Sequence, residues 1–177
     1  MVSALTSGMH RMTADEYFAV AAATGRERTE LIEGFVYDMS PEHLLHARIV
    51  MALAQSLADL RPDLGVVPSV SVRLDELTVL EPDAVAYSTA DARDDAPLDA
   101  DRVRILVEVS VSTMTRDTDM KMSIYANAGI PDYWVVIPKS GILLRYTDPT
   151  EGGYETVREH AFDVDDPASL VRFLLAG

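Results

Sequence analysis

Cysteine is absent from the 177-residue chain. That excludes disulfides, cysteine nucleophiles and thiolate zinc sites together. No apolar run approaches the roughly 18 residues that a membrane span needs. MVSALTSGMH at the N-terminus lacks the basic start and long apolar stretch of a signal peptide. A cytoplasmic location with no membrane partner is therefore expected. Walker-type phosphate loops, GxGxxG, GxSxG and HExxH are all missing. Lysine is nearly missing: of 15 basic residues only Lys121 and Lys139 are lysines, and 13 are arginines. A lysine kept in so biased a chain points to a need for a compact ammonium, and it draws attention to Lys121.

Positive charge is also scarce. Against 29 acidic residues the net charge is −14, which argues against non-specific grip on nucleic acid and is read first as solubility. A local patch, or a metal held by carboxylates, could still bind phosphate. Much of the acid is clustered in DARDDAPLDAD (91–101) and DVDD (163–166), segments that read as solvated loops. What remains is ordinary globular composition, 48% hydrophobic and 25% charged, of a length that suits one domain spanning 1–177.

The hydrophobic period divides the chain into elements. A short helix is expected near 13–23, with Thr13 and Glu16 forming a capping box. TELIEGFVYDMS (29–40), broken at Gly34, reads as a hairpin. Residues 41–60 read as the longest helix, with Ser40 as cap, Pro41 in the first position and Glu42 on the dipole. Its stripe is Leu45, Ile49, Leu53, Leu57 and Leu60. Period two then predicts strands at 66–76, 79–88 and 103–111. In the third, Val103, Ile105, Val107, Val109 and Val111 share one face, and Leu106, Glu108 and Ser110 the other. A helix at about 116–128, a strand at 132–138, a final hairpin and a short helix near 167–175 complete the order. It is a mixed α/β arrangement, with strand–helix–strand at 103–138 as its parallel crossover.

Three residues could carry chemistry. Glu108 lies inside an apolar strand, where an unpartnered carboxylate costs several kcal/mol; it is either exposed or compensated by a cation. Asp83 follows Pro82 at the start of the second strand, where a turn aspartate is the plain alternative. If the two strands pair, both carboxylates share one small site and repel unless a cation joins them. Mg²⁺ wants one or two carboxylates plus water and substrate phosphate, and it can activate water at a phosphodiester. Lys121, on the helix after the third strand, could reach back to orient that water or neutralise charge. Its plain alternative is an exposed i, i+4 pair with Asp117. His43 and His46 lie three apart on the long helix but have no third ligand for zinc. Tyr125 and Trp134 read as core.

The segments ELIEGFVYDMSP…H, EPDAVAY and ILVEVSVSTMTRDTDMKMSIYANAGIPDYWVVIP resemble the bacterial Uma-two group of restriction-endonuclease-like proteins, in the PD-(D/E)XK nuclease superfamily. The similarity runs from about residue 11 to 150. It implies a restriction-endonuclease-like core: a central mixed sheet flanked by helices, with added N-terminal and C-terminal hairpins. It implies a Mg²⁺- or Mn²⁺-dependent endonuclease acting on DNA, with Asp83 and Glu108 as metal ligands. The superfamily's lysine, two residues after the second acid, is replaced here by Ser110, and Lys121 matches the position to which this group has moved it. Glu30 and His46 match a recurrent acid and a recurrent histidine of auxiliary role. A homodimer is expected, because a 19.4 kDa acidic domain offers little surface for both strands of a duplex. The competing reading, motivated by the charge, is a nuclease-fold binding or accessory protein with little catalysis. A third, an acidic mimic of nucleic acid, is disfavoured because the acid lies in loops.

Overall fold

The computed structural model describes residues 10–25, 28–39, 41, 43–90, 96–110, 116–163 and 165–166. Three α-helices are described, α1 (Ala14–Thr24), α2 (Leu44–Leu60) and α3 (Arg116–Asn127), with a 3-10 turn at Ala100–Arg102. Eleven strands accompany them: β1 (Thr29–Ile32), β2 (Phe35–Asp38), β3 (Leu64–Pro68), β4 (Val72–Arg73), β5 (Val79–Leu80), β6 (Ala84–Ser88), β7 (Leu98–Asp99), β8 (Val103–Val109), β9 (Asp132–Ile137), β10 (Ile142–Thr150) and β11 (Gly153–Ala161). The strands form a six-stranded sheet, β11-β10-β9-β8-β6-β3, and a five-stranded sheet, β2-β1-β5-β4-β7. The protein is thus mixed α/β.

The large sheet holds the core on both faces. Ile49, Val50, Leu53, Ala54 and Leu57 of α2 pack on Ala84, Ala86, Ile105, Val107, Trp134 and Val136. On the opposite face Val85, Leu106, Tyr133, Val135 and Ile137 meet Tyr125 of α3 together with Ile32, Val72 and Leu80 of the small sheet. Beyond the small sheet, α1 packs Ala14 and Tyr17 on Leu31 and Val79. β1 is therefore covered on both sides: Leu31 meets α1, while its neighbours Glu30 and Ile32 lie on the side of the large sheet.

Most elements fall where the period places them. The Thr13–Glu16 capping box is formed in both directions, and β8 pairs parallel with β9 across α3. Four expectations are corrected. The 66–76 strand is two: the chain leaves the large sheet after Pro68, turns at Ser69 (φ +48°) and enters the small sheet as β4. The 79–88 strand is likewise split at Glu81-Pro82-Asp83 into β5 of one sheet and β6 of the other, because proline interrupts the ladder. β4 and β7 make a second parallel pair. A bulge opposite Ala86 and Tyr87 rotates Val103 onto the α3 face, away from Ile105.

α2 starts at Leu44 with His43 at its N-cap, later than expected, because the hairpin continues through the Met39 N–H bond to the Arg28 carbonyl. Leu45 and Leu60, at the ends of its stripe, are exposed. The N-terminal hairpin β1–β2 is part of the small sheet, whereas β10–β11 extends the large one. Ser40, Glu42, Val111 and the 167–175 helix lie outside the described residues, as does the Asp117 side chain. Among the described residues no helix is long and apolar enough to cross a membrane.

The β1–β2 turn has positive φ at both central residues, Glu33 (50°) and Gly34 (82°), the arrangement of a type I′ hairpin. A Cβ on Gly34 would come within 2.6 Å of Arg11 Cβ and 3.2 Å of its Cα. Gly34→Ala is expected to destabilise the protein by more than ~1 kcal/mol, read from urea midpoints, and to loosen the strand that carries Glu30.

Candidate active site

β8 runs through the middle of the large sheet, and past the bulge Leu106 and Glu108 face α3. Leu106 is buried there, and Glu108 continues the same face at the strand's C-terminal end. α3 crosses above and presents Lys121 and Tyr125, one helical turn apart. β1 of the small sheet brings Glu30 to the same place. Lys121 Nζ donates to Glu30 Oε1 at 2.9 Å and to Glu108 Oε1 at 3.1 Å. The Tyr125 hydroxyl donates to Glu108 Oε1 at 2.7 Å. Glu30 Oε1 also accepts from the Glu81 N–H at 3.1 Å.

Asp83 sits between α2 and the end of β8. Its Oδ2 accepts the Val109 N–H at 2.6 Å, and His46 Nε2 lies 3.0 Å from the same oxygen. A carboxylate has no proton to give, so this nitrogen carries the hydrogen. The two acids are thus anchored on consecutive residues of one strand, Asp83 on the backbone of Val109 and Glu108 beside it. The β6–β8 pairing that brings them together is antiparallel, Ala84 opposite Val107.

A pattern runs through the three acids. Asp83, Glu108 and Glu30 each receive two donors on one oxygen. The other oxygen of each carries no protein hydrogen bond among the described residues. The side chains of Asp83, Glu108, Glu30, Lys121 and His46 are only 9–15% exposed. That is dry enough to strengthen their interactions and open enough to admit a ligand.

Burial is the main influence on Glu108, raising its pKa from the usual carboxylate range to about 7. Lys121 opposes this, Asp83 and Glu30 add repulsion, and the Tyr125 hydrogen bond lowers the value again. Burial works against the Lys121 ammonium too, but Glu108 and Glu30 outweigh it and hold its pKa above the ordinary lysine value. Tyr125 is pushed well up, chiefly by burial, then by Glu108. It is a neutral donor at any physiological pH. The donor set suits a hard divalent cation: two carboxylates with one oxygen each to offer, leaving remaining positions for water and phosphate. Among the described residues no group of three or more His, Asp or Glu side chains is arranged to enclose a metal by itself.

The five residues singled out from the sequence form two neighbouring sets of contacts, Glu108–Lys121–Glu30 and Asp83–His46, the second anchored on the Val109 N–H next to Glu108. His43 joins neither; it sits at the N-cap position of α2 without a side-chain capping bond and is exposed. The Lys121 ammonium is held by Glu108 and Glu30, contacts that an isolated i, i+4 surface pair does not require. The sequence reading missed Tyr125, which is core, with 0% exposure, yet places its hydroxyl on Glu108. The signal was its position four residues after Lys121 on one helix face. Trp134 is core as expected, its Nε1 donating to Asp132.

This fold is shared with a solved protein from Anabaena variabilis ATCC 29413, described as "a putative nuclease belonging to DUF820". The TM-score is 0.68 at 11% identity, covering 90% of this chain and 99% of that one. A DrdV–DNA complex solved by cryo-electron microscopy matches at TM-score 0.37 and 12% identity, over 73% of this chain and 14% of its own; that likeness is too loose to support a statement about fold. No curated protein matches the chain. The chain is an α/β protein of the architecture seen in the Anabaena protein. It belongs to the Uma2 family, described as "Putative restriction endonuclease", whose profile matches residues 14–174.

Proposed function

We propose that this protein is a Mg²⁺- or Mn²⁺-dependent nuclease that hydrolyses phosphodiester bonds in DNA. The observation that carries the reading is the convergence of Asp83, Glu108 and Lys121 at the end of β8, each acid with one oxygen left over among the described residues. Asp83 and Glu108 would hold the cation. Such an ion, when bound, supplies a more acidic water and neutralises charge on the phosphodiester. Lys121 orients the attacking water or donates to the phosphate oxygen on which charge develops. Glu30 holds the Lys121 ammonium in place, and His46 holds Asp83. We read the chain as one domain, since the apolar cluster around Tyr125 draws on both sheets. A homodimer would offer one site to each strand of a duplex.

The test is calorimetric titration of Mn²⁺ and Mg²⁺ into the protein, alone and with a short DNA duplex, followed by a cleavage assay on plasmid and single-stranded DNA. Binding and cleavage together are the expected result. The net charge of −14 favours a second reading, a nuclease-fold binding protein of little activity. Partner or DNA binding indifferent to metal and to Asp83→Ala would support that one instead.

The raised pKa of Glu108 sets a pH dependence. Its folded value lies above its unfolded value, so the stability it contributes is present below about 4.5 and is lost as pH rises through about 7. A cation must displace that proton. Mn²⁺ affinity is expected to rise up to ~10-fold per pH unit from pH 5.5 and to level off above about 7. Calorimetry in buffers of different ionisation enthalpy would register the released proton; a flat profile with no proton release would contradict it.

A further inference from the structure

The Tyr125 side chain is fully buried, in a cluster where its ring lies 5.0 Å from that of Tyr133 at a 55° tilt. A buried phenol needs a partner for its hydroxyl. A phenylalanine would fill the same space without that requirement. The partner here is not a nearby backbone carbonyl but Glu108 Oε1, at 2.7 Å. Lys121 reaches the same oxygen at 3.1 Å. Two donors from successive turns of α3 therefore load one oxygen of the carboxylate and fix its rotation.

The helix that delivers them is itself held. Asn127 Oδ1 accepts the Gly152 N–H at 2.7 Å, and Ser123 Oγ donates to the Gly152 carbonyl at 3.0 Å. These bonds tie α3 to the β10–β11 turn on both sides of Tyr125.

We propose that Tyr125 is a positioning residue: with Lys121 it pins Glu108 Oε1, so that Oε2 is the oxygen presented to the divalent cation. The inference rests on the metal-binding reading above and deepens it. Lys121 alone cannot do this work as well, because its ammonium is shared with Glu30 and its stem is flexible. The tyrosine is rigid and has one partner in the site.

Tyr125→Phe keeps the ring and removes only the donor. Mn²⁺ titration is to be compared across wild type, Tyr125→Phe and Tyr133→Phe, with thermal midpoints recorded for each. The expected result is Mn²⁺ affinity ~10- to 100-fold weaker in Tyr125→Phe, the range for loss of a group that orients a metal ligand, and unchanged in Tyr133→Phe. DNA cleavage by Tyr125→Phe should recover toward wild type at saturating Mn²⁺, which a damaged fold would not allow. Equal affinity in wild type and Tyr125→Phe would overturn this inference alone. Equal losses in both variants would assign the effect to core packing and overturn it as well. Failure of wild type to bind Mn²⁺, with or without DNA, would overturn the metal-binding reading and this one with it.

Discussion

Lys121→Met is expected to abolish DNA cleavage and to destabilise the fold by about 3–5 kcal/mol at pH 8, the cost of stripping the partner from buried charge. Lys121 is the cation between Glu30 and Glu108, and all three side chains are at most 15% exposed. Without it two carboxylates face each other with no counter-charge from the described residues. The sign of the pH dependence follows. In the variant the Lys121 charge that lowers the Glu108 pKa is gone, so that value lies further above its unfolded one, and stability is retained at low pH and lost as pH rises. In the native protein Lys121 itself stays charged throughout this range, so the pH dependence comes from its carboxylate partner Glu108. Urea unfolding at pH 5 and pH 8 reads both effects: the deficit should shrink at pH 5. A variant as stable as wild type at both pH values would mean that the ion triad contributes nothing to the fold. Lys121→Arg is not expected to restore cleavage, because a planar fork does not replace a point charge shared by two carboxylates.

The second large effect concerns the two acids. Asp83→Asn and Glu108→Gln are each expected to reduce cleavage by about 10³-fold or more, since several kcal/mol of charge stabilisation would depend on the cation proposed for them and each 1.36 kcal/mol is tenfold in rate. The fold should survive. An asparagine at 83 still offers an acceptor to the Val109 N–H and to His46, and a glutamine at 108 still offers one to Lys121 and Tyr125. Mn²⁺ titration and circular dichroism on the same samples separate loss of the site from loss of structure. Cleavage undiminished in either folded variant would remove that residue from the active site. Loss of metal binding in both, with native spectra, would leave the rest of the proposal standing.

How far the site was legible can be followed residue by residue. Glu108 could be marked because a carboxylate in an apolar strand demands compensation, and Lys121 because lysine is otherwise nearly missing from the chain. What compensates Glu108 could not be read, since it comes from a helix 13 residues on and from a hydroxyl that looks like core filling. Glu30 was marked only through family resemblance. Its role depends on which side of β1 it occupies, and that is decided by α1 and the large sheet, which claim opposite faces of the strand. The two strand predictions that failed, 66–76 and 79–88, failed for one reason. Alternation of apolar residues continues across Pro68-Ser69 and across Pro82, but backbone geometry there hands the chain from one sheet to the other. Local period is blind to that transfer.

The sequence by itself determined the local elements. Helical spacing, the Thr13 capping box, the turn at Gly34 and the parallel crossover around α3 all follow from short-range sterics and from burial of one face. It also determined the chemical types available, acids and one significant lysine with no thiol. The tertiary structure alone decided the site. Lys121 and Glu30 are 91 residues apart, and His46 and Asp83 approach only because α2 and β6 pack on one sheet. Contacts of that kind depend on the registry of whole elements, set by the summed fit of the core, and no window of neighbouring residues contains it.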